Sequence, residues 1–200
     1  MKILLIADEE AAKFYDYYRP GVLDPYDLII ACGDLHKSYL EFLVTMSGKP
    51  LLYVRGNHDD AFIKDPPGGC ICIEDDIFVY NGVRFMGLGG SMRYRRDGEN
   101  MYTEWEMKKR IRKLRWKLFW HKGFDILVTH APAQGIGDME DLPHRGFACF
   151  RTLMEKYTPT FMVHGHIHGN YGLKRPKVLE YKDTLVVNGY EYTEIELPDR

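Results

Sequence analysis

Short, continuous apolar runs alternate with mixed stretches in the first quarter of the chain. Residues 3–6, 28–32 and 51–54 form three such runs, which is the pattern of strands buried on both faces. The stretches between them predict one helix from about residue 9 to residue 18 and another from 36 to 46, each followed by proline and glycine. Because strands and helices alternate, the pattern predicts right-handed crossovers and a parallel sheet.

The middle of the chain changes to a hairpin and an amphipathic helix. Residues 77–80 and 83–86 flank Asn81-Gly82, which predicts two antiparallel strands joined by a tight turn. Thr103 and Glu106 have the spacing of a capping box. The helix that they open carries its apolar side chains on one face, namely Met107, Ile111, Leu114 and Leu118.

The last third of the chain returns to alternating strands and helices. Strands are predicted at residues 125–129 and 161–163, with a helix at 147–157 between them. Residues 185–187 and 190–197 have the pattern of antiparallel strands.

Composition narrows the class of protein. The chain has 200 residues, of which 45% are hydrophobic and 28% charged, so we expect one globular domain over residues 1–200. The net charge of -2 gives no global field that would mark a nucleic-acid or membrane binder. The four cysteines lack Cys-x-x-Cys spacing and the N-terminal apolar run is too short for a signal peptide, which favours a cytoplasmic protein with reduced thiols.

Polar side chains follow the predicted parallel strands. Since the carboxyl ends of parallel strands meet at one edge of a sheet, we expect these side chains to lie together. Carboxylate, amide and imidazole groups in one cluster suit Mn, Fe or Zn, and a bridging carboxylate would let the cluster hold two ions. The residues concerned are Asp8, Asp34, Asn57, His58, His130, His166 and His168.

The order of these motifs resembles that of calcineurin-like metallophosphoesterases. The motifs span most of the chain and are Asp8, Gly33-Asp34, Gly56-Asn57-His58-Asp59, Thr129-His130 and Gly165-His166-Ile167-His168. The resemblance implies an α/β fold, a four-layer αββα sandwich with two mixed β-sheets flanked by helices. It also implies a metal-dependent phosphoesterase in which a metal-bridging hydroxide attacks the phosphorus of a phosphodiester or phosphomonoester.

The resemblance assigns roles to the clustered residues. Asp34 would bridge two divalent ions, and His58 would assist the leaving group or steady the transition state. Asn57 and His58 would also contact the substrate, a small phosphate ester, while Asp59 is expected to orient its neighbours. The implied ligands are Asp8, Asp34 and His168 for the first ion, and Asp34, Asn57, His130 and His166 for the second.

The first motif departs from the family pattern at one position. Asp-x-His is usual there, whereas this chain has Asp8-Glu9-Glu10. We expect Glu10 to ligate in place of the histidine and to make the first site harder, which favours Mn²⁺, with Fe or Zn as alternatives. A site with a single ion is the rival expectation.

The second motif distinguishes subfamilies. Gly33-Asp34 continues as Leu35-His36-Lys37 and lacks the Asp-Arg-Gly that follows in serine/threonine protein phosphatases. Residues 165–172 and the small size resemble the compact, phosphodiesterase-type members. Two alternatives stay open: an interaction module that keeps the fold with reduced chemistry, and a nuclease.

Other charged and imidazole side chains have two interpretations each. Arg93 and Arg145 lie in predicted loops from which a guanidinium can reach a substrate phosphate. The basic helix from Lys108 to Lys117 suits either an anionic polymer or, as we favour, a solvated helix face. Nucleic acid is therefore not favoured as a partner, no membrane partner is expected, and the oligomeric state stays open. The histidines interpreted as structural are His36, His121, His144 and His164.

Overall fold

The computed structural model describes residues 1–169 and 176–198. Residues 170–172, which extend the Gly-His-x-His motif, lie outside the described residues. The strands are β1 (Lys2–Ala7), β2 (Leu28–Ala31), β3 (Leu51–Tyr53), β4 (Ile71–Cys72), β5 (Asp76–Tyr80), β6 (Val83–Leu88), β7 (Ser91–Met92), β8 (Met101–Tyr102), β9 (Ile126–Thr129), β10 (Phe161–His164), β11 (Val178–Tyr181), β12 (Thr184–Asn188) and β13 (Glu191–Glu196). The helices are α1 (Lys37–Ser47), α2 (Glu104–Lys113), α3 (Arg115–Trp120) and α4 (Ala148–Tyr157), with 3₁₀ turns at Ala12–Phe14 and Asp60–Ile63.

Two mixed sheets form the centre of the fold. The first has the order β13-β1-β2-β3-β4, in which β1 to β4 are parallel and β13 is antiparallel to β1. The second has the order β11-β12-β10-β9-β6-β5, in which the four inner strands are parallel and both edge strands are antiparallel. The parallel sheet predicted from the first three apolar runs and the predicted hairpin, β5 with β6, are both confirmed.

Alternating side chains along the strands divide the apolar residues into three layers. In β1, Ile3 and Leu5 join the layer between the two sheets, whereas Leu4 packs with residues of α1 on the outer face. In β9, Val128 joins the inner layer and Leu127 packs with residues of α2, α3 and α4. Helices therefore cover the outer face of each sheet, and the αββα sandwich is confirmed.

The helix predicted at about residues 9–18 is wrong. The segment contains only the 3₁₀ turn at Ala12–Phe14, because tertiary packing of its aromatic side chains overrides the local pattern. The Phe14 ring is fully buried and makes edge contacts with Tyr26 and Tyr192, whose ring centroids lie 6.1 and 5.1 Å away.

The C-terminal strands divide between the two sheets. β13 is an antiparallel strand, as predicted, and its partner is β1. The purely antiparallel assignment of residues 185–187 is wrong, since β12 is antiparallel to β11 but parallel to β10. The cause is a β11–β12 hairpin, which reverses the chain so that it runs beside β10 in the same direction.

The predicted amphipathic helix forms and is interrupted at Leu114, which separates α2 from α3. Its capping box is confirmed: the Glu106 N–H donates to the Thr103 hydroxyl at 3.2 Å, and the Thr103 N–H donates to the Glu106 carboxylate at 2.7 Å. Met107, Leu114 and Leu118 are buried against the second sheet. Among the described residues, no helix is long and apolar enough to cross a bilayer.

The loops that carry the motifs meet at one end of the sandwich. In the first sheet, the Asp8 N–H donates to the Gly33 carbonyl at 3.1 Å, which joins the loops after β1 and β2. In the second, the Gly165 N–H donates to the His130 carbonyl at 3.0 Å, which joins the loops after β9 and β10. The His130 ring then reaches the Cys32 carbonyl of the first sheet, so the two sets of loops form one site.

Candidate metal centre

Three of the residues that follow strands have left-handed backbones. Asp8, Asp34 and His166 have φ values of 65°, 56° and 67°. Residues other than glycine rarely adopt this region, and such strain concentrates at functional sites. The strain here lies in three of the turns that present the clustered side chains.

Two glycines permit the close approach of these turns. A Cβ on Gly56 would lie 2.0 Å from Asp34 Oδ1, and a Cβ on Gly165 would lie 2.7 Å from Asp8 Oδ2. Both distances are far below van der Waals contact, so only glycine fits there. Steric crowding therefore explains why glycine precedes Asn57 and His166 in these two motifs.

Asp34, His130 and His166 converge on one point. One ligand atom from each of these residues lies within 4.8 Å of the others. His130 Nε2 lies 3.3 Å from Asp34 Oδ2 and 3.0 Å from the side-chain oxygen of Asn57. Four of the seven expected ligands therefore lie close together, and their role as ligands stays a prediction.

Hydrogen bonds to backbone carbonyls fix the rings of both histidines in this cluster. His130 Nδ1–H donates to the Cys32 carbonyl at 2.8 Å, and His166 Nε2–H donates to the Pro143 carbonyl at 2.7 Å. Because a carbonyl can only accept, each bond places a proton on that nitrogen and leaves the other nitrogen to face the cluster. Metal-ligating histidines are oriented in the same way.

Asp8 and His168 form the second part of the cluster. Asp8 Oδ2 accepts from the His166 N–H at 2.8 Å. Asp8 Oδ1 is buried and accepts no hydrogen bond from the residues that the structure describes. His168 Nε2, which can carry a positive charge when the ring is protonated, lies 3.7 Å from it. The His168 ring stacks on Tyr190 with 5.1 Å between centroids, and the Tyr190 hydroxyl donates to Glu9.

The charge balance of the cluster shifts the pKa of its groups. Burial by itself raises the pKa of Asp34, but the adjacent His130 and the hydrogen bond from the His58 N–H lower it to about 2. Burial by itself lowers the pKa of His130, because it disfavours the charged imidazolium. The attraction of the Asp34 carboxylate is larger than this effect and raises the pKa of His130 to about 9. Without a metal, a proton on His130 Nε2 neutralises the buried carboxylate.

Asp59 supports the cluster from behind, as expected. Its Oδ2 accepts from the N–H groups of Gly56 at 2.7 Å and Asp34 at 2.8 Å, which ties the loops after β2 and β3 together. Burial and the charge of Asp34 raise the pKa of Asp59 to about 6. Its contacts are therefore those of a positioning residue.

The donors fit a divalent cation. The cluster offers carboxylate, amide and imidazole groups, and imidazole with carboxylate suits Mn, Fe or Zn. Asp8 Oδ1 supplies an independent reason: it is buried and accepts no hydrogen bond from the described residues, and a buried carboxylate oxygen is costly unless a cation or a hydrogen-bond donor faces it.

Two cavities flank this cluster. One, of about 320 Å³, is lined by Asn57, Tyr94, Pro143, His144, His166 and His168 together with Asp8, Asp34 and His58. The other, of about 700 Å³, shares Asp8, Asp34 and His58 and continues past Glu9, Glu10 and His36 to Phe62 and Asp65. His58 is exposed where the two meet, and its N–H donates to Asp34 Oδ1 at 2.7 Å.

The loop before α4 covers the smaller cavity. Asp138 accepts from the N–H groups of Gly135 at 2.9 Å and Gly146 at 3.0 Å, which closes the loop. His144 then lies beside His166 with 5.3 Å between ring centroids, and its Nδ1 contacts Asp141 at 2.6 Å.

The remaining predicted site residues, Glu10, Arg93 and Arg145, differ in whether they line the cavities beside the cluster. Glu10 is half-buried and lines the larger cavity, so its ligand role stays a prediction. The Arg93 guanidinium donates to the Met101 carbonyl and to Glu106, and its neighbour Tyr94 lines the smaller cavity instead. Arg145 donates to the Glu140 carbonyl and borders a separate cavity.

Sequence reasoning missed three residues around the cluster. His144 was interpreted as structural, and Tyr94 and Tyr190 were not singled out. The one signal in the sequence that pointed to His144 was the presence of a histidine in a loop between two motifs. The spacing of Asp141 and His144 does not mark a functional site. His164 is buried beside the Gly165 carbonyl, in agreement with its structural interpretation.

Comparisons with known proteins identify a family and a fold. A family model described as calcineurin-like phosphoesterase matches residues 1–170. One crystal structure superposes with a TM-score of 0.70 at 16% identity, covering 97% of this chain and 94% of that chain. The crystal structure of TT1561 of Thermus thermophilus superposes with a TM-score of 0.62 at 16% identity, covering 95% and 89%.

A further solved structure is GAP50 of Plasmodium, described as the anchor in the inner membrane complex. It superposes with a TM-score of 0.55 at 13% identity, covering 94% of this chain and 70% of that chain. No match was found among curated proteins. At these identities the likeness to solved structures shows the fold alone.

Proposed function

The chain belongs to the calcineurin-like phosphoesterase family, and on that premise we propose that it hydrolyses a phosphate ester with divalent metal ions. The observation that carries the proposal is the convergence of Asp34, His130 and His166, with both histidines oriented by backbone carbonyls. Clusters of this kind that merely stabilise a fold have no need of two imidazoles with one nitrogen each directed inward.

We propose two ion sites that share Asp34. Asp8, Asp34 and His168 would hold one ion with Glu10 as a further ligand, and Asp34, Asn57, His130 and His166 would hold the other. Bound divalent ions would lower the pKa of a water nucleophile and neutralise charge on the phosphoryl oxygens. Mn²⁺ suits the carboxylate-rich first site, with Fe and Zn as alternatives.

The side chains of the chain itself would position the ester. His58 faces both cavities and can donate a hydrogen bond to a phosphoryl or leaving-group oxygen. Asp59 accepts hydrogen bonds from the N–H groups of Gly56 and Asp34, and these bonds hold the loops that carry Asp34 and Asn57 at a fixed separation. The Pro143–His144 part of the loop before α4 narrows the access of water from one side.

The two cavities favour a phosphodiester over a phosphomonoester. A diester has an organic group on each side of the phosphorus, whereas a monoester has one. The cluster lies where cavities of about 320 and 700 Å³ meet, so both groups have room. The larger cavity carries Glu9 and Glu10, and its Asp65 is paired with Lys37, so its carboxylates outnumber its cations, which disfavours a nucleic-acid strand and supports a small substrate.

The test is hydrolysis of bis-p-nitrophenyl phosphate and p-nitrophenyl phosphate by protein stripped of metal and reloaded with Mn²⁺. We expect release of nitrophenolate that EDTA abolishes, with faster release from the diester. Asp34→Asn should lose most of the activity, whereas Asp183→Asn, the same change at an exposed turn, should keep it. Wild-type turnover by Asp34→Asn with its metal content intact would contradict the assignment.

An interaction module is the second candidate function. The departure at Glu10 from the usual histidine is the feature that favours it. A protein that binds Mn²⁺ through this cluster and hydrolyses neither ester would support the module.

The four cysteines are all free thiols, which supports a cytoplasmic protein in either case.

A further inference from the structure

The outward side of the α2–α3 helix pair carries every tryptophan of the chain. The exposed fractions are 65% for Trp105, 63% for Trp116 and 78% for Trp120, and Phe119 between them is 69% exposed. Apolar packing does not explain them, since Met107, Leu114 and Leu118 already fill the side that faces the sheet. Large aromatic side chains grouped on a surface mark a site of interaction.

Cations surround these aromatic side chains. Lys109 lies 5.4 Å from the Trp105 ring centroid and the Arg115 guanidinium lies 5.3 Å from that of Trp116. We call this surface the basic–aromatic face and define it by Trp105, Lys109, Arg112, Lys113, Trp116, Phe119 and Trp120, all exposed.

The acidic residues of these two helices are engaged elsewhere. The Glu104 carboxylate accepts from the N–H groups of Ala148 and Cys149 at the start of α4, at 3.1 and 2.9 Å. Glu106 serves the capping box with Thr103. The basic–aromatic face therefore contains no carboxylate, and its charge is uniformly positive.

A groove between α2–α3 and α4 continues this face. It has a volume of about 760 Å³, and apolar side chains such as Ile111, Leu118 and Leu153 line it. The described residues also contribute Arg112, Arg115, Lys122 and Lys156 to its lining, and none of them contributes a carboxylate. A surface with an apolar base and a basic rim is complementary to an amphiphile with an anionic head group.

We propose that the basic–aromatic face binds the surface of an anionic phospholipid bilayer, with the helix pair lying in the plane of the interface. Tryptophan is favoured at the boundary between head groups and acyl chains because its ring is apolar and its N–H is polar. Basic side chains add attraction to anionic lipids, and their stems can lie along the apolar boundary. This binding is independent of the proposed hydrolysis.

The geometry favours a bilayer over a nucleic-acid strand. Proteins that bind single strands stack successive bases on aromatic side chains along a groove that tracks the backbone. Here the tryptophans lie on the outward side of a helix pair and are spread over roughly 20 Å, from 1.5 Å of rise per residue. A flat surface contacts all of them at once. The expectation of no membrane partner came from the net charge and the lack of a spanning segment, and neither bears on a helix that lies on a surface.

The test uses the full chain with vesicles of phosphatidylcholine alone and of phosphatidylcholine with phosphatidylglycerol. We expect co-flotation with the anionic vesicles only, a loss of binding in high salt, and a blue shift of tryptophan emission. Because all three tryptophans lie on this surface, the emission reports directly on its burial. Lipids brominated along the acyl chains should quench it.

Matched variants separate this face from the rest of the surface. Arg112→Gln with Lys113→Gln should weaken partitioning by about fivefold per neutralised cation at low salt. Trp116→Ala should weaken binding in both low and high salt. Arg19→Gln with Tyr17→Ala, exposed on the α1 side of the sandwich, should change nothing.

Three results would overturn the proposal. One is the absence of both flotation and blue shift with anionic vesicles. Another is equal binding to neutral vesicles, which would remove the role of charge. The third is tight binding of a labelled single-stranded oligonucleotide with no binding to vesicles, which would assign the face to nucleic acid.

Discussion

Replacing Asp59 by alanine is expected to leave the metal-free protein about 2–4 kcal/mol less stable than replacing it by asparagine, because alanine leaves one buried and one partly buried N–H group without an acceptor. Asp59 Oδ2 is the acceptor for the N–H groups of Gly56 and Asp34, at 2.7 and 2.8 Å. Each unsatisfied buried donor costs about 1–3 kcal/mol, and the Asp34 N–H is only partly buried, which places the sum below the upper limit.

The matched variant is Asp59→Asn, which keeps an acceptor oxygen of the same size in the same place. Burial and the charge of Asp34 raise the pKa of Asp59 to about 6, so its carboxylate is held in an unfavourable charged form at neutral pH. Asparagine removes that charge, and we expect Asp59→Asn to be as stable as wild type or slightly more stable. Urea unfolding at pH 7 with EDTA measures both differences. Equal stability of the alanine and asparagine variants would refute the hydrogen-bond reasoning.

Three further predictions address the cluster and the helix cap. Gly56→Ala places a Cβ 2.0 Å from Asp34 Oδ1 and should displace the carboxylate, lowering Mn²⁺ affinity in calorimetry by about tenfold or more, whereas Gly68→Ala should bind as wild type does. The pKa of His130 is raised from 6.5 to about 9, so its stabilising effect in the metal-free protein is complete below pH 6.5 and is lost as the pH rises through 9. Thermal unfolding with EDTA should show that loss, on the order of 3 kcal/mol, and a flat profile would contradict it. Thr103→Ala should cost about 1 kcal/mol in urea unfolding without changing Mn²⁺ binding, since it removes a helix cap.

Apolar runs predicted most of the architecture because strands buried on both faces have a strong local signal. Residues 3–6, 28–32 and 51–54 became neighbouring parallel strands, and the Asn81-Gly82 turn joined the predicted hairpin. The segment at 9–18 was misassigned because Phe14 packs among distant rings rather than along a helix face. Such long-range contacts leave no periodic signal in the sequence.

The convergence of side chains at the candidate centre was predictable because motif order and strand ends together constrain it. Asp34, Asn57, His130 and His166 meet as expected. The surroundings were not predictable, since they come from loops that fold back over the site. His144 is placed by the loop that Asp138 closes, and that closure depends on backbone donors that no side-chain pattern reveals.

The most direct test of the central claim is the Mn²⁺ content of the wild-type chain after saturation and removal of free metal, measured beside His130→Ala. The account predicts about two ions per wild-type chain and fewer in the variant, with the secondary structure of both unchanged by circular dichroism. One ion in the wild type would reject the shared two-ion centre and leave a single site. A wild-type chain that retains no ion would contradict the assignment of this cluster as a metal centre.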